Sequence, residues 1–295
     1  MRKALITSLA LAAVTALFVT VSASGRSTAP SAAAALPGCA KDSLGLLDDA
    51  GNLTIGADNP AFPPWFGGDE KTKPWKVSDP YSGKGYESAV AYAMAKQLGF
   101  TRGQVKWTVV PFSNSYRPGK KAFDVYITQV SYTPERAKAV DFSKSYYFVN
   151  QSVVARKGKP IASAKSIAAL SKYRLGAQLG TTSYDYIVKY IKPSQEPRVY
   201  DTNDQAVQAL KNGQIDGIVV DLPTAFYVIA VQVSDGTIVG KLPTKGTKER
   251  FGMVLQKGSP LTACVNKALD RLWRNGTIKN LQRTWLAKAG APDIK

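Results

Sequence analysis

Two patterns of hydrophobic positions alternate along the chain, one typical of β-strands and the other of α-helices. Short runs rich in β-branched and aromatic residues predict strands at 53–57, 104–112, 123–130, 174–180, 198–201, 217–222 and 251–258. Apolar residues spaced three and four apart predict helices at 85–100, 203–214 and around Cys264, and further helices follow the strands at 181–191 and 223–233. In TPERAKAV, Thr133 has the character of an N-cap and Pro134 that of a first helical residue.

This alternation predicts an α/β protein with two βα units and mostly parallel sheets. The extended segments 150–156 and 247–254 fit two crossings between the units. We therefore expect a two-lobed fold, with residues 39–151 and 252–295 in lobe 1 and residues 152–251 in lobe 2. A chain of 295 residues is long enough for two such domains.

The first residues have the pattern of an export signal. A basic start, an uncharged apolar run at 4–23 and small residues at 21–23 predict a signal peptide over 1–23. An uncleaved membrane anchor is the alternative, because the run approaches spanning length. Residues 24–38 are rich in Ser, Ala, Pro and Gly and predict a flexible tether. The mature protein is then expected outside the cytoplasmic membrane.

The chain has two cysteines, Cys39 and Cys264. Cys264 lies on the apolar face of a predicted helix, where it could be a buried small hydrophobe. An exported chain with an even cysteine count favours a disulfide, which would join Cys39 to Cys264. LPGC at 36–39 also resembles a lipoprotein cleavage box, so lipidation of Cys39 stays open.

Composition excludes several kinds of chemistry. The sequence has no histidine, which removes Ser-His-Asp and Cys-His catalysis and most zinc sites. We expect neither a metal nor a cofactor. The formal net charge is +18, but lysine and arginine are scattered rather than gathered into a nucleic-acid-binding run. A solvated surface beside an anionic cell wall is the preferred interpretation.

Four loops follow predicted strands, where open α/β sheets bind ligands. They carry opposite charges, Arg136 in one loop and Asp221 at the end of another. Arg136 suits a carboxylate, with the amides and hydroxyls of Thr181 and Thr182 as added donors, and Asp221 suits an ammonium. Together they describe an α-amino acid, with aromatic packing from Phe62 or Trp65.

Each of these residues also has a plainer interpretation. Arg136 could be a solvated helix charge, and Thr181 and Thr182 an ordinary N-cap. Asp221 could cap the next helix, and Phe62 and Trp65 could belong to the core. The joint pattern is more specific than any of its members.

The chain resembles the family 3 solute-binding proteins of polar amino-acid ABC importers, the group that includes glutamine- and histidine-binding proteins. The resemblance runs from about residue 53 to 286. Its carriers are IGADNPAFPPW, GYESAVAYAMAKQLGF, FDVYITQVSYTPERAKAVDFSKSYY, LGAQLGTTSYDYI, AVQALKNGQIDGIVVDLPTAFYV and LWRNGTIKNLQRTW. It implies two α/β lobes that close on a ligand by a hinge motion, no catalysis, and a membrane permease as partner.

The resemblance also implies residue roles. Arg136 would bind the ligand carboxylate with Ser131 and Thr182, and Asp221 the α-amino group. Phe62 would cover the side chain, and Asp58 would line the entrance or pair with a polar or cationic ligand end. The sequence departs from the family at Gln129, where a small residue is usual, at Glu87, and in the basic loop SNSYRPGKKAF.

We expect a monomeric, exported protein that captures a polar or charged amino acid for an ABC importer. One alternative on the same fold is a cyclohexadienyl dehydratase, with Asp58 or Glu87 as general acid. Another is a sensor or cell-wall-binding module without a role in transport. The sequence names neither the amino acid, the permease nor the type of envelope.

Overall fold

The structure, a computed structural model, describes residues 36–47, 51–286 and 291–295. The predicted signal peptide and residues 24–35 of the predicted tether lie outside the described residues. Ten strands are described: β1 (Leu53–Ala57), β2 (Val105–Val109), β3 (Val125–Tyr126), β4 (Val140–Phe148), β5 (Gln151–Arg156), β6 (Leu175–Gln178), β7 (Arg198–Tyr200), β8 (Gly217–Asp221), β9 (Gly236–Lys241) and β10 (Arg250–Gln256).

Nine α-helices accompany these strands in the described residues. They are α1 (Tyr86–Gln97), α2 (Phe112–Ser115), α3 (Pro134–Ala139), α4 (Ile167–Leu170), α5 (Thr182–Tyr186), α6 (Asn203–Lys211), α7 (Leu222–Tyr227), α8 (Leu261–Arg274) and α9 (Thr277–Leu286). The helices α5 and α7 each run on into a π-helical segment, Ile187–Ile191 and Val228–Gln232. Short 3₁₀ segments lie at Lys41–Ser43, Pro80–Ser82, Arg102–Gln104 and Pro160–Ser163.

The strands form two five-stranded sheets, which are the centres of two α/β lobes. The first has the order β2-β1-β3-β10-β4 and the second β7-β6-β8-β5-β9. The two-lobed fold is thus confirmed, and the sheets are mostly parallel, because four of the five strands in each sheet run in the same direction. In the first sheet β2, β1 and β3 are parallel neighbours, and β10 pairs antiparallel with both β3 and β4. In the second sheet β7, β6 and β8 are parallel neighbours, and β5 pairs antiparallel with both β8 and β9.

The antiparallel strands follow from the way the chain passes between the sheets. It leaves the first sheet after β4 and starts β5 in the second sheet only two residues later. It returns through residues 242–249 from β9 to β10. A strand that arrives directly from the other lobe runs against the βα series, so it pairs antiparallel.

The strand predicted at 123–130 shrinks to Val125–Tyr126 in the structure. The chain leaves the sheet at Ile127, and Gln129 adopts a left-handed φ of 43°. That conformation is incompatible with a continuing strand for a residue with a side chain. The apolar run therefore continues past the sheet edge, because Ile127 and Val130 are buried there as loop residues.

The N-terminal segment packs on the first lobe. Leu36 is buried in its core, so the last part of the predicted tether is fixed rather than loose. Cys39 and Cys264 form a disulfide with their Cα atoms 5.7 Å apart, which ties this segment to α8.

The C-terminal residues pack elsewhere. Asp293 bridges Lys241 at the edge of the second sheet, and Ile294 is buried in the core of that lobe. Assigning all of 252–295 to lobe 1 is therefore wrong at its end. The amide of Ile294 donates to the carbonyl of Lys241 at 2.8 Å, and this hydrogen bond holds the C-terminal residues against the second sheet.

Candidate functional site

The two lobes enclose a cleft of about 180 Å³. All nine residues predicted for ligand binding line it, namely Asp58, Phe62, Trp65, Gln129, Ser131, Arg136, Thr181, Thr182 and Asp221. They come from loops that follow β1, β3, β6 and β8. The carboxyl ends of parallel strands in the two sheets therefore face one another across the cleft.

The N-cap of α3 sets the position of Arg136. The hydroxyl of Thr133 caps α3 by accepting from the backbone amide of Arg136 at 3.1 Å, as the sequence predicted. This cap projects the guanidinium between the lobes. Its Nη1 donates to the carbonyl of Ser131 and its Nη2 to the carbonyl of Gly180, both at 2.6 Å.

The surroundings of Arg136 leave donors free. Its guanidinium stacks 4.5 Å from the ring of Tyr116, which belongs to the basic loop noted in the sequence. Burial lowers the pKa of Arg136, although an arginine in a protein stays charged. Two of its five N–H groups donate to backbone carbonyls, and the Tyr116 hydroxyl is a further hydrogen-bond partner, so the remaining N–H groups are those that a ligand carboxylate could take.

Asp221 lies at the end of β8, at the N-cap position of α7. Its carboxylate makes no capping hydrogen bond, so the interpretation of Asp221 as a simple helix cap does not hold. Its Oδ1 accepts instead from Nε2 of Gln151 at 2.8 Å. Burial raises the pKa of Asp221 well above its ordinary value, and the nearby charge of Glu249 adds to that rise.

Thr181 and Thr182 have different roles, although they are adjacent. The Thr181 hydroxyl donates to the carbonyl of Gln178 at 2.7 Å and accepts from the amide of Tyr184 at 3.2 Å. Its only proton is thus used inside the α5 cap, and the prediction of Thr181 as a hydroxyl donor to ligand is wrong. The Thr182 hydroxyl points to the junction of the lobes.

Glu249 is a cleft-side residue that the sequence analysis missed. Its Oε1 accepts from the hydroxyls of Ser131 and Thr182, both at 2.5 Å. Its Oε2 accepts from Nε2 of Gln151 at 3.0 Å. Glu249 lies in the second crossing, which the sequence did mark as extended. An acidic residue inside a crossing was the available signal.

Aromatic side chains form one wall of the cleft. Phe62 packs against Tyr227 of α7 with the ring centres 5.8 Å apart, so the two lobes meet there. Trp65 is only 1% exposed and packs against Tyr147 and Phe251, so most of its ring belongs to the core. Its indole Nε1 nevertheless donates across the cleft to the Thr224 hydroxyl at 2.9 Å.

The two departures noted at Gln129 and Glu87 are partners in the structure. Glu87 accepts from the backbone amide of Gln129 at 2.7 Å, and also from its side-chain amide and the Tyr146 hydroxyl. Gln129 lines the cleft, but its amide is turned toward Glu87. Glu87 itself is fully buried outside the cleft lining, and burial raises its pKa to about 7.

The cleft lining carries further acidic groups. Asp58 accepts from the amide of Asn59 at 2.9 Å, and burial raises its pKa. Asp204 at the start of α6 accepts from Nε2 of Gln232 at 2.9 Å. With Asp221, the described lining therefore holds three carboxyl groups and one cation, Arg136.

Two kinds of feature are absent from the described residues. No cluster of three or more acidic or cysteine side chains has the arrangement of a metal site there. No helix in the described ranges combines the length and apolar character that crossing a bilayer requires.

Known proteins resemble this chain over most of its length. The L-cystine-binding protein TcyJ of Escherichia coli (strain K12) is 27% identical over 246 residues, covering 82% of this chain and 85% of that protein. The arginine-binding extracellular protein ArtP of Bacillus subtilis (strain 168) is 26% identical over 217 residues, covering 72% of this chain and 82% of that one.

Solved structures of amino-acid-binding proteins are also similar to this chain. An ancestral arginine-binding protein bound to arginine is 30% identical with a TM-score of 0.64, covering 80% of this chain and 98% of that one. The ancestral amino acid-binding protein AncCDT-1, a precursor of cyclohexadienyl dehydratase, is 28% identical with a TM-score of 0.64, covering 81% and 96%.

The match to a family description extends over residues 65–288. That range includes both sheets except β1 and all predicted ligand-binding residues except Asp58 and Phe62. The family is described as bacterial extracellular solute-binding proteins, family 3, and this chain belongs to it.

Proposed function

We propose that the chain binds one free α-amino acid between its lobes and delivers it to an ABC importer. The observation that carries this proposal is the pair of opposite charges, Arg136 and Asp221, on one small cleft. In the described part of the chain, neither side chain has a salt-bridge partner. Partly buried charges without a counter-charge are costly, and the carboxylate and ammonium of an amino acid would compensate both.

The roles of the individual residues follow from their free hydrogen-bonding groups. Arg136 offers the α-carboxylate the N–H donors that are not used by the carbonyls of Ser131 and Gly180 or by Tyr116. Asp221 accepts the α-ammonium at the other lobe. Phe62, with Tyr227, covers the ligand side chain, and Asp58 lies farther along the cleft.

The excess of carboxyl groups narrows the ligand class to basic amino acids. After Arg136 and Asp221 have paired with the zwitterion, Asp58 and Asp204 still line the cavity without a cation. A ligand with a positively charged end would neutralise one of them. Relatives named as arginine-binding proteins are in line with this choice.

The second part of the proposal is that the chain delivers its amino acid to the permease of an ABC importer. Members of the family are extracellular, and an arginine-binding relative is named as part of an ABC transporter. We propose that the chain is exported through the signal at 1–23 and acts as a monomer. Closure of the two lobes over the amino acid would create the surface that the permease recognises.

Titration calorimetry of ligand-stripped protein against the twenty L-amino acids tests the proposal. We expect 1:1 binding of arginine or lysine in the micromolar range, about −8 kcal/mol. Arg136→Ala is expected to abolish binding with an unchanged circular dichroism spectrum. Arg274→Ala removes an exposed arginine outside the cleft and should bind as wild type. Silence across the panel, or full affinity in Arg136→Ala, contradicts the proposal.

A dehydratase function has one observation in its favour. Asp58 lines the cleft with a raised pKa, as a general acid requires, and AncCDT-1 is a structural neighbour. Glu87, the other acid considered, does not line the cleft. Turnover of prephenate or arogenate that is lost in Asp58→Asn would establish this function, and its absence at high protein concentration would remove it.

A further inference from the structure

Glu249, a half-buried residue of the second crossing, joins the two lobes beside the cleft lining. The hydroxyl of Ser131 comes from the first lobe and that of Thr182 from the second, and both donate to the same oxygen of Glu249 at 2.5 Å. The other carboxylate oxygen lies 3.0 Å from Nε2 of Gln151. Glu249 itself is not part of the cleft lining, whereas both hydroxyls are.

The two hydroxyl oxygens lie 3.3 Å from each other but 2.5 Å from Oε1 of Glu249, so the shorter contacts assign both hydroxyl protons to Glu249. A serine or threonine hydroxyl has a single proton and two acceptor lone pairs. Because both protons point to Glu249, Ser131 and Thr182 present only lone pairs to the cleft. Groups that accept but cannot donate attract a donor such as an ammonium and repel a carboxylate.

The same corner holds a second carboxylate. Nε2 of Gln151 donates both to Glu249 and, at 2.8 Å, to Asp221. Oε1 of Gln151 accepts from the hydroxyl of Ser183 at 2.6 Å, which fixes the orientation of this buried amide. Neither carboxylate has a lysine or arginine within salt-bridge distance among the described residues. Two acids that share one neutral donor favour a cation beside them.

We infer that Glu249 is a positioning residue for the α-ammonium of the bound amino acid, acting by taking the protons of Ser131 and Thr182. This inference rests on the proposed function. It changes the role of the two hydroxyls that the sequence analysis assigned to the ligand carboxylate. The carboxylate is left to Arg136, and the hydroxyls join Asp221 around the ammonium.

The test compares Glu249→Gln with wild type by calorimetry. The probes are the twenty L-amino acids and, for the tightest of them, the matching carboxylic acid that lacks the α-amino group, measured by competition. Glutamine keeps the shape of Glu249 but removes its charge, and its NH₂ group must face either the hydroxyls or Gln151. We expect the amino acid to bind at least ten-fold more weakly and the des-amino acid to change less than two-fold.

Further variants separate this role from a structural one. Ser131→Ala should weaken the same amino acid, and combining it with Glu249→Gln should add little, because both remove one interaction. Glu135→Gln makes the same charge change on an exposed residue of α3 and should leave affinity unchanged. If Glu249→Gln fails to fold, the selective loss in Ser131→Ala decides the matter.

Three results would overturn the inference while leaving the proposed function standing. Unchanged affinity in Glu249→Gln removes any role for the carboxylate. Tighter binding would mean that Glu249 competes with the ligand carboxylate for the hydroxyls. Equal losses for the amino acid and its des-amino counterpart would mean a general effect on the hinge. If wild type binds no amino acid at all, the proposed function fails first.

Discussion

The guanidinium of Arg136 donates to the backbone carbonyl of Gly180 at 2.6 Å, and this bond spans the cleft. Arg136 lies in α3 of the first lobe, and Gly180 follows β6 in the second. The hydroxyl of Tyr116 reaches the same carbonyl at 3.3 Å. The cation proposed to bind the ligand carboxylate therefore also holds the lobes together, which couples ligand binding to closure.

Gly180→Ala is expected to weaken ligand binding at least ten-fold, which corresponds to about 1.4 kcal/mol. Gly180 has a left-handed φ of 70°, and an added Cβ would lie 2.6 Å from the Tyr116 hydroxyl oxygen. The new methyl group would force Tyr116 away and separate Arg136 from its carbonyl. Calorimetry on the variant measures the change.

Gly213→Ala is the matched control. Gly213 has a φ of 71° with no atom within 4 Å of an added Cβ, so it carries the same backbone cost without the clash. Both variants should lose roughly 1–2 kcal/mol of stability, but only Gly180→Ala should lose affinity. Adding Tyr116→Phe to Gly180→Ala should restore part of the lost affinity. Equal affinity in the two alanine variants would show that closure does not depend on this contact.

The sequence predicted residues that line the cleft for a physical reason. Arg136 and Asp221 each lie at or after the carboxyl end of a parallel strand, which is where α/β sheets bind ligands, so order along the chain marks both as cleft residues. The sequence did not predict the contacts of Glu249 with Ser131 and Thr182, because they depend on how one crossing passes between the lobes. The sequence could not show that the Thr181 hydroxyl is used in the α5 cap, because capping and ligand binding use the same group.

Binding is expected to release a proton from Asp221. The raised pKa means that this carboxyl holds a proton in free protein at pH values where an ordinary aspartate would be ionised. A ligand ammonium favours the ionised form, so binding expels the proton over the pH range below the raised pKa. Calorimetry in buffers of different ionisation enthalpy measures the number of protons released. Asp221→Asn should bind weakly without proton release, and a buffer-independent enthalpy in wild type would contradict the assignment.

Glu87 should make stability depend on pH. Its pKa is about 7 in the folded protein against an ordinary 4.5, so the folded state holds the proton more strongly than the unfolded state. Stability from this group is fully present below about pH 4.5 and is lost as pH rises toward 7, by roughly 3 kcal/mol. Gln129 and Tyr146 donate to Glu87, but these bonds do not offset its burial.

The comparison of wild type with Glu87→Gln isolates this effect, since other groups cancel in the difference. Urea unfolding followed by circular dichroism should show the two proteins close in stability near pH 4.5. The variant should become the more stable one by pH 8. A difference that stays constant over this range would mean that Glu87 is ionised throughout. The sequence marked Glu87 and Gln129 as separate departures, and only the fold shows that they are one buried pair.

The Cys39–Cys264 disulfide closes a loop with a sequence separation of 225. A cross-link over so long a loop restricts the unfolded chain, and its loss costs on the order of 5 kcal/mol in the chain-entropy model. The double variant Cys39→Ala/Cys264→Ala should unfold at lower urea concentration than wild type. Its affinity for amino acids should stay unchanged, because the bridge joins the N-terminal segment to α8 away from the cleft lining. Intact-mass measurement of the exported protein adds an independent check, since a lipid on Cys39 would exclude the disulfide.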